Sequence, residues 1–178
     1  MCSNLNSRLL AATAALTTAL GFSTHTAGAD SRYEMVSYVE SVSGRRIAAG
    51  DYDGAIDYAS KRLHSGDTES RLIERTNLCV AYTVTGNYAK ARETCEATIG
   101  IARHVDAGGV RSASRSGTET AKAMTNRGVL KAMIGDMAGA AMDFRTATAA
   151  IGAPKAPARN LARVEGETAD RLAMTEAR

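Results

Sequence analysis

This chain offers almost no stretch in which polar residues alternate with Val, Ile, Thr and aromatic side chains, so β-strands have little support. Trp is absent and only two Phe and six Tyr are present, whereas Ala is abundant; that composition favours closely packed helices over a sheet. An excess of one charge sign is also missing. The formal net charge of +3 is too near neutral to make nucleic acid or an anionic membrane the main partner. Chemistry-bearing residues are equally scarce. No His stands at metal-ligand spacing from a Cys or a carboxylate. His64, beside a turn, and His104, at a helix end, read as exposed terminal residues favoured by the negative end of a helix. The Ser residues cluster without a nucleophile motif, and no Gly-Lys-Ser/Thr follows the Gly-rich turns. Neither enzymatic activity nor a cofactor or metal is expected.

The one long apolar run lies near the N-terminus. Arg8 precedes Leu9–Phe22, an uncharged and largely apolar segment too short to span a bilayer. Ala27-Gly28-Ala29 then supplies the small-x-small pattern of a signal peptidase site. Residues 1–29 are therefore predicted to be an export signal cut after Ala29, leaving a periplasmic or secreted protein of one domain, residues 30–178.

One phrase recurs three times. Gly50-Asp51-Tyr52-Asp53-Gly54-Ala55 returns as Gly86-Asn87-Tyr88-Ala89-Lys90-Ala91 and as Gly135-Asp136-Met137-Ala138-Gly139-Ala140, with copies beginning 36 and 49 residues apart. Each copy sits between two segments of helical composition, the signature of an array of helical hairpins. The periodicity predicts hairpins over about 32–64, 68–103 and 118–151. In the first of these, Tyr33, Val36, Val39, Val42 and Ile47 suggest a helix over 32–49, opened by a Ser31…Glu34 capping box. Ser116…Glu119 is a second such box. The 105–117 segment, with Gly108-Gly109, Arg111 and Arg115, reads as a loop or frayed helix extension. Together with Arg103 it is either a contact for an acidic partner or a solvated connector. Pro154 and Pro157 enforce a break before a polar capping helix over about 158–176.

With its hairpins laid out in this way, the chain resembles the tetratricopeptide-repeat family over about residues 36–151. Ala55, Ala91 and Ala140 match the family's early second-helix Ala, and Gly50, Gly86 and Gly135 its turn Gly. Tyr52 and Tyr88 match the turn aromatic, and Leu78, Cys79 and Tyr82 the first-helix pattern. Met137 and Arg127 depart from it. The resemblance implies an all-α, right-handed superhelix of three hairpins plus a C-terminal capping helix. It also implies a protein or peptide partner held on a concave face lined by the first helices. Residues expected on that face are Ser37, Glu40 and Ser41; Ile73, Thr76, Asn77 and Val80; and Lys122, Thr125, Asn126 and Val129. Asn77 and Asn126 are equivalent in their repeats, and an Asn side chain can hold a peptide backbone through both its donor and its acceptor. Two other readings stay open: a structural subunit docking through its Ala-rich sixth helix, and a helical carrier or enzyme with a deep apolar pocket.

Once the signal is removed, Cys79 and Cys95 remain. Each lies eight residues from Asn87, at the centre of the turn, so antiparallel helices bring them to similar height. A disulfide is the favoured state for an exported chain, the alternative being two buried thiols.

Overall fold

A computed structural model of the protein describes residues 32–108 and 117–177. Among the described residues there are seven α-helices and no strand: α1 Val42–Ala48, α2 Tyr52–Arg62, α3 Thr68–Val84, α4 Tyr88–Gly108, α5 Thr118–Met133, α6 Met137–Thr148 and α7 Ala156–Glu176. The expected signal segment and its cut after Ala29 lie outside these residues. So do Ser31 and Ser116 of the two capping boxes, and Arg111 and Arg115 of the connector.

The recurring phrase builds the same turn three times. Gly50, Gly86 and Gly135 adopt left-handed φ values of 78°, 74° and 89°, a conformation that costs glycine little. The next residue then closes the preceding helix from its backbone. Asp51 N–H donates to the Arg46 carbonyl at 2.8 Å, Asn87 N–H to Tyr82 at 2.9 Å and Asp136 N–H to Lys131 at 2.9 Å. These are six-to-one Schellman closures. The same three side chains open the following helix. Asp51 Oδ1 accepts from Gly54 N–H at 2.9 Å, Asn87 Oδ1 from Lys90 N–H at 3.4 Å and Asp136 Oδ1 from Gly139 N–H at 2.9 Å. Ala55, Ala91 and Ala140 follow one turn later and are fully buried, because no larger side chain fits where the two helices meet.

Each helix packs on its chain neighbour, and the odd-numbered helices also meet one another: α1 with α3, α3 with α5, and α5 with α7. Three apolar clusters run through the stack. The one that holds Val164 is closed by α7, which packs on the Ala-rich α6 that the sequence leaves open as a docking face. Gly128 of α5 allows the closest crossing. A Cβ placed there would stand 2.5 Å from the Phe144 ring of α6. Arg127, the residue that departs from the repeat pattern, forms a bidentate pair with buried Asp143 of α6, at 2.8 and 2.7 Å, and reaches Glu96 of α4 at 2.8 Å. The hydrogen bonds to Asp143, ahead of the attraction of its charge, hold the Arg127 pKa above its ordinary value.

The first hairpin departs from expectation. Residues 32–41 are not helical, and α1 begins only at Val42. Its N-cap is Ser41, whose Oγ accepts from Gly44 N–H at 3.0 Å. The start of α5 draws on a different helix. Gly117 occupies the N-cap of α5 without a side-chain bond, and Asp106 of α4 supplies the missing acceptor to Glu119 N–H, Thr120 N–H and the Thr120 hydroxyl, at 3.2, 2.8 and 2.6 Å.

Cys79 of α3 and Cys95 of α4 are joined in a disulfide, with Cα atoms 4.9 Å apart. Both are buried, among Ala59, Leu78, Ala91 and Leu130. Closing a loop of this length restricts the unfolded chain by about 3 kcal/mol. Reduction should therefore lower unfolding stability by about 2–4 kcal/mol, measured by urea denaturation with and without dithiothreitol. Identical midpoints would show that the bond adds nothing.

Candidate peptide-binding face

The non-helical segment lies across the first helices of the hairpins as an extended strap, fixed by a ladder of three asparagines. Asn160 of α7 accepts from Glu34 N–H at 2.8 Å and donates to the Glu34 carbonyl at 2.8 Å. Asn126 of α5 accepts from Val36 N–H at 2.7 Å and donates to the Val36 carbonyl at 2.8 Å. Asn77 of α3 accepts from Tyr38 N–H at 2.9 Å, and its amide group donates to the Ser41 and Ser43 hydroxyls at 2.8 and 2.7 Å. The strap thus runs from α7 towards α3, against the order of the helices. Alternate residues of an extended chain present their backbone groups to the same side, which is why one Asn per helix meets residues 34, 36 and 38 in turn.

The three asparagines are 0–2% exposed, so each amide needs its partners. A buried donor or acceptor left unpaired costs about 1–3 kcal/mol. Around Asn77 the network extends to Glu74, whose carboxylate accepts from Ser43 Oγ at 2.6 Å.

The side chains of the strap do the rest. Tyr33 is buried, and its ring stacks on Phe144 at a centroid distance of 6.5 Å in a cluster with Val129 and Val164. Its hydroxyl donates to Glu167 at 3.0 Å. Met35 packs against this cluster and against the one around the disulfide. The Tyr38 ring lies 4.6 Å beneath the Lys122 ammonium, and its hydroxyl donates to Glu119, which Lys122 also pairs at 3.1 Å. Arg159 of α7 pairs with Glu34.

Five ladder bonds at about 1 kcal/mol each and burial of Tyr33 and Met35 together contribute about 9 kcal/mol. Ordering six residues costs about 6–12 kcal/mol. The hold on the strap is accordingly slight.

Burial, followed by the hydrogen bond to Glu167, pushes the Tyr33 hydroxyl up to about 12. Burial and the bond to Glu119 raise Tyr38 further. Unfolded Tyr ionises near about 10. Since the folded values are raised, the stabilisation is whole below about pH 10 and fades as pH climbs through the folded values. The tyrosinate absorbance lost on Tyr33→Phe or Tyr38→Phe should therefore be confined to strongly alkaline pH, where denaturant stability also falls. Ionisation of either residue near the ordinary value would contradict the buried placement.

Of the residues expected on this face, Asn77, Asn126, Lys122 and Val129 meet the strap, Val129 through the cluster that holds Tyr33. Others do not behave as drawn. Thr76 and Thr125 are buried and donate to the Leu72 and Ala121 carbonyls of their own helices. Val80 is buried rather than open. Ile73 is half-buried. Glu40 is exposed at the turn after the strap and engages Arg45 only through its carbonyl, at 2.6 Å. Asn160 was not anticipated. It lies on the helix expected to cap the array, where no site residue was expected.

Two hollows lie elsewhere. One, of about 470 Å3, is lined by Arg103, Asp106 and Met124 among others, and its carboxylate is engaged in capping α5. The other, of about 220 Å3, lies at the Arg127 ion pairs. Among the described residues no group of His, Cys, Asp and Glu is placed to hold a metal ion, and no helix is long and apolar enough to cross a membrane. No protein-family model, characterised protein or solved structure matches the chain. The geometry therefore defines a class, an all-α stack of helical hairpins with a polar ladder across its first helices, and the ladder is the best guide to what that class does here.

Proposed function

We propose that this protein is an exported, non-enzymatic interaction module of the tetratricopeptide type, which binds an extended peptide in the groove formed by α1, α3, α5 and α7. One observation carries the reading: Asn160, Asn126 and Asn77 each bind the backbone of a non-helical segment at every second residue. Backbone recognition of this kind accepts many sequences, and side-chain subsites add selectivity. Mutual contact of the odd-numbered helices fits a stack curved towards that side, and the buried disulfide fits an oxidising compartment. The test is capture from a periplasmic extract by the mature protein, repeated with Asn77→Ala and Asn126→Ala. Loss of the captured species on both substitutions supports the groove; unchanged capture moves the interface elsewhere. Expression of the full chain should also yield an exported protein whose first residue is Asp30.

A second reading, docking into an envelope assembly, rests on a different feature. Leu172 and Met174 are 60% and 69% exposed on the distal half of α7. Self-association abolished by Leu172→Glu would favour it.

A further inference from the structure

The strap does more than show that the ladder can hold a peptide; it specifies which one, and it stands in that peptide's place. We propose that the groove takes in trans an extended segment of another protein bearing Tyr and a long flexible apolar residue two apart, with a second Tyr three residues further on, and that residues 33–38 are the built-in competitor for that segment. This inference rests on the peptide-binding reading above.

The pattern follows from what each subsite demands. The first position is a slot between Phe144, Val129 and Val164 with a carboxylate, Glu167, at its end, so it requires a flat ring carrying a donor. The third position touches two clusters at once, which suits the unbranched side chain of Met. At the sixth, a ring lies beneath the Lys122 ammonium and its hydroxyl meets Glu119. Between them, Glu34 and Val36 are held through their backbone, and Glu34 also pairs with the exposed Arg159.

Release is local. The strap joins α1 through the turn at Val39–Ser41, where the Tyr38 carbonyl accepts from Ser41 N–H and Ser41 Oγ, at 3.1 and 2.9 Å, and passes over Gly44. A Cβ on Gly44 would lie 1.8 Å from that carbonyl oxygen. Opening at this turn leaves the seven helices packed. A ligand tethered this closely competes at an effective concentration in the millimolar range, so a free peptide meets a groove that is mostly shut.

The test uses the mature protein and a fluorescent peptide of residues 31–41. Val36→Pro removes the N–H that Asn126 accepts, and Gly44→Ala displaces the hinge; both leave the side chains of Asn77, Asn126 and Asn160 unchanged. Each variant should bind the peptide about 10–100-fold more tightly than the wild type does. Peptides with Tyr33→Ala or Met35→Ala should bind at least about 10-fold more weakly, and adding Asn126→Ala to either variant should abolish binding. Equal affinity for wild type and variants would overturn the competitor while leaving the groove reading in place. Equal affinity for the altered peptides would overturn the side-chain pattern. No binding by any protein, with both variants folded by circular dichroism, would overturn the groove reading itself. Concentration-dependent dimers of the wild type that fail to bind peptide would give the groove to a second copy and overturn the proposal. Should either variant fail to fold, hydrogen exchange on the wild type decides. Val36 and Tyr38 amides exchanging well before the α3 and α5 cores support release, and exchange only with global unfolding overturns it.

Discussion

Replacing Phe144 by Ala should cost about 3–5 kcal/mol of unfolding stability, the range for a fully buried ring. Phe144 is 0% exposed. Its ring fills the space that Gly128 leaves open on α5 and forms the floor on which Tyr33 stacks. Deleting it removes contacts on both sides. The backbones of α5 and α6 are already near, so the cavity has little room to close. Two measurements separate the effects. Chemical denaturation gives the total, and the same substitution in a Tyr33→Ala background gives the share that runs through the strap. A loss in Phe144→Ala below about 1 kcal/mol would mean that the site collapses freely, contrary to the packing described.

Asn126→Ala should accelerate amide exchange at Val36 by about 10–100-fold and lower unfolding stability by a smaller amount, about 1 kcal/mol. The side chain makes two bonds to one residue of the strap, both in a buried setting. Without them the Val36 N–H and carbonyl are left unpaired, at about 1–3 kcal/mol each. Release of the strap limits the loss, because the freed groups then reach water. Most of the change should thus appear as local exchange and a smaller part as a shifted denaturation midpoint. Asn126→Asp sets a buried carboxylate oxygen against the Val36 carbonyl, so it should destabilise the strap at least as much as Ala. Unchanged exchange at Val36 in Asn126→Ala would show that the ladder does not hold the strap.

Much of the architecture was legible because it is written in short-range chemistry. A left-handed Gly, a capping Asp or Asn and a small residue one turn later must act within a few residues of one another, so the turns could be recognised from neighbours alone. The Cys79–Cys95 pairing was legible for a related reason: equal distances from a known turn fix equal heights on two antiparallel helices. Asn77 and Asn126 could be paired because they hold the same place in two copies of one unit.

Arg127 was less legible. It occupies a position suited to an apolar side chain, and only the buried Asp143 on a different helix explains a guanidinium there. Val129 shows the converse. The family resemblance places it on the concave face, and the Tyr33 cluster covers that side.

The sequence alone determined that paired helices stack about three glycine-led turns, because each turn is decided by bonds inside one short segment. Only the tertiary structure decided the fate of residues 32–41. Tyr33, Val36, Val39 and Val42 recur every third residue, and that spacing suits a helix as far as local preference goes. The balance tips to an extended strap because partners 39 to 126 residues away in sequence, Asn77, Asn126 and Asn160, satisfy its backbone, and because Phe144 and Val164 receive Tyr33. Those contacts exist only after the helices have packed, so no window along the chain contains them.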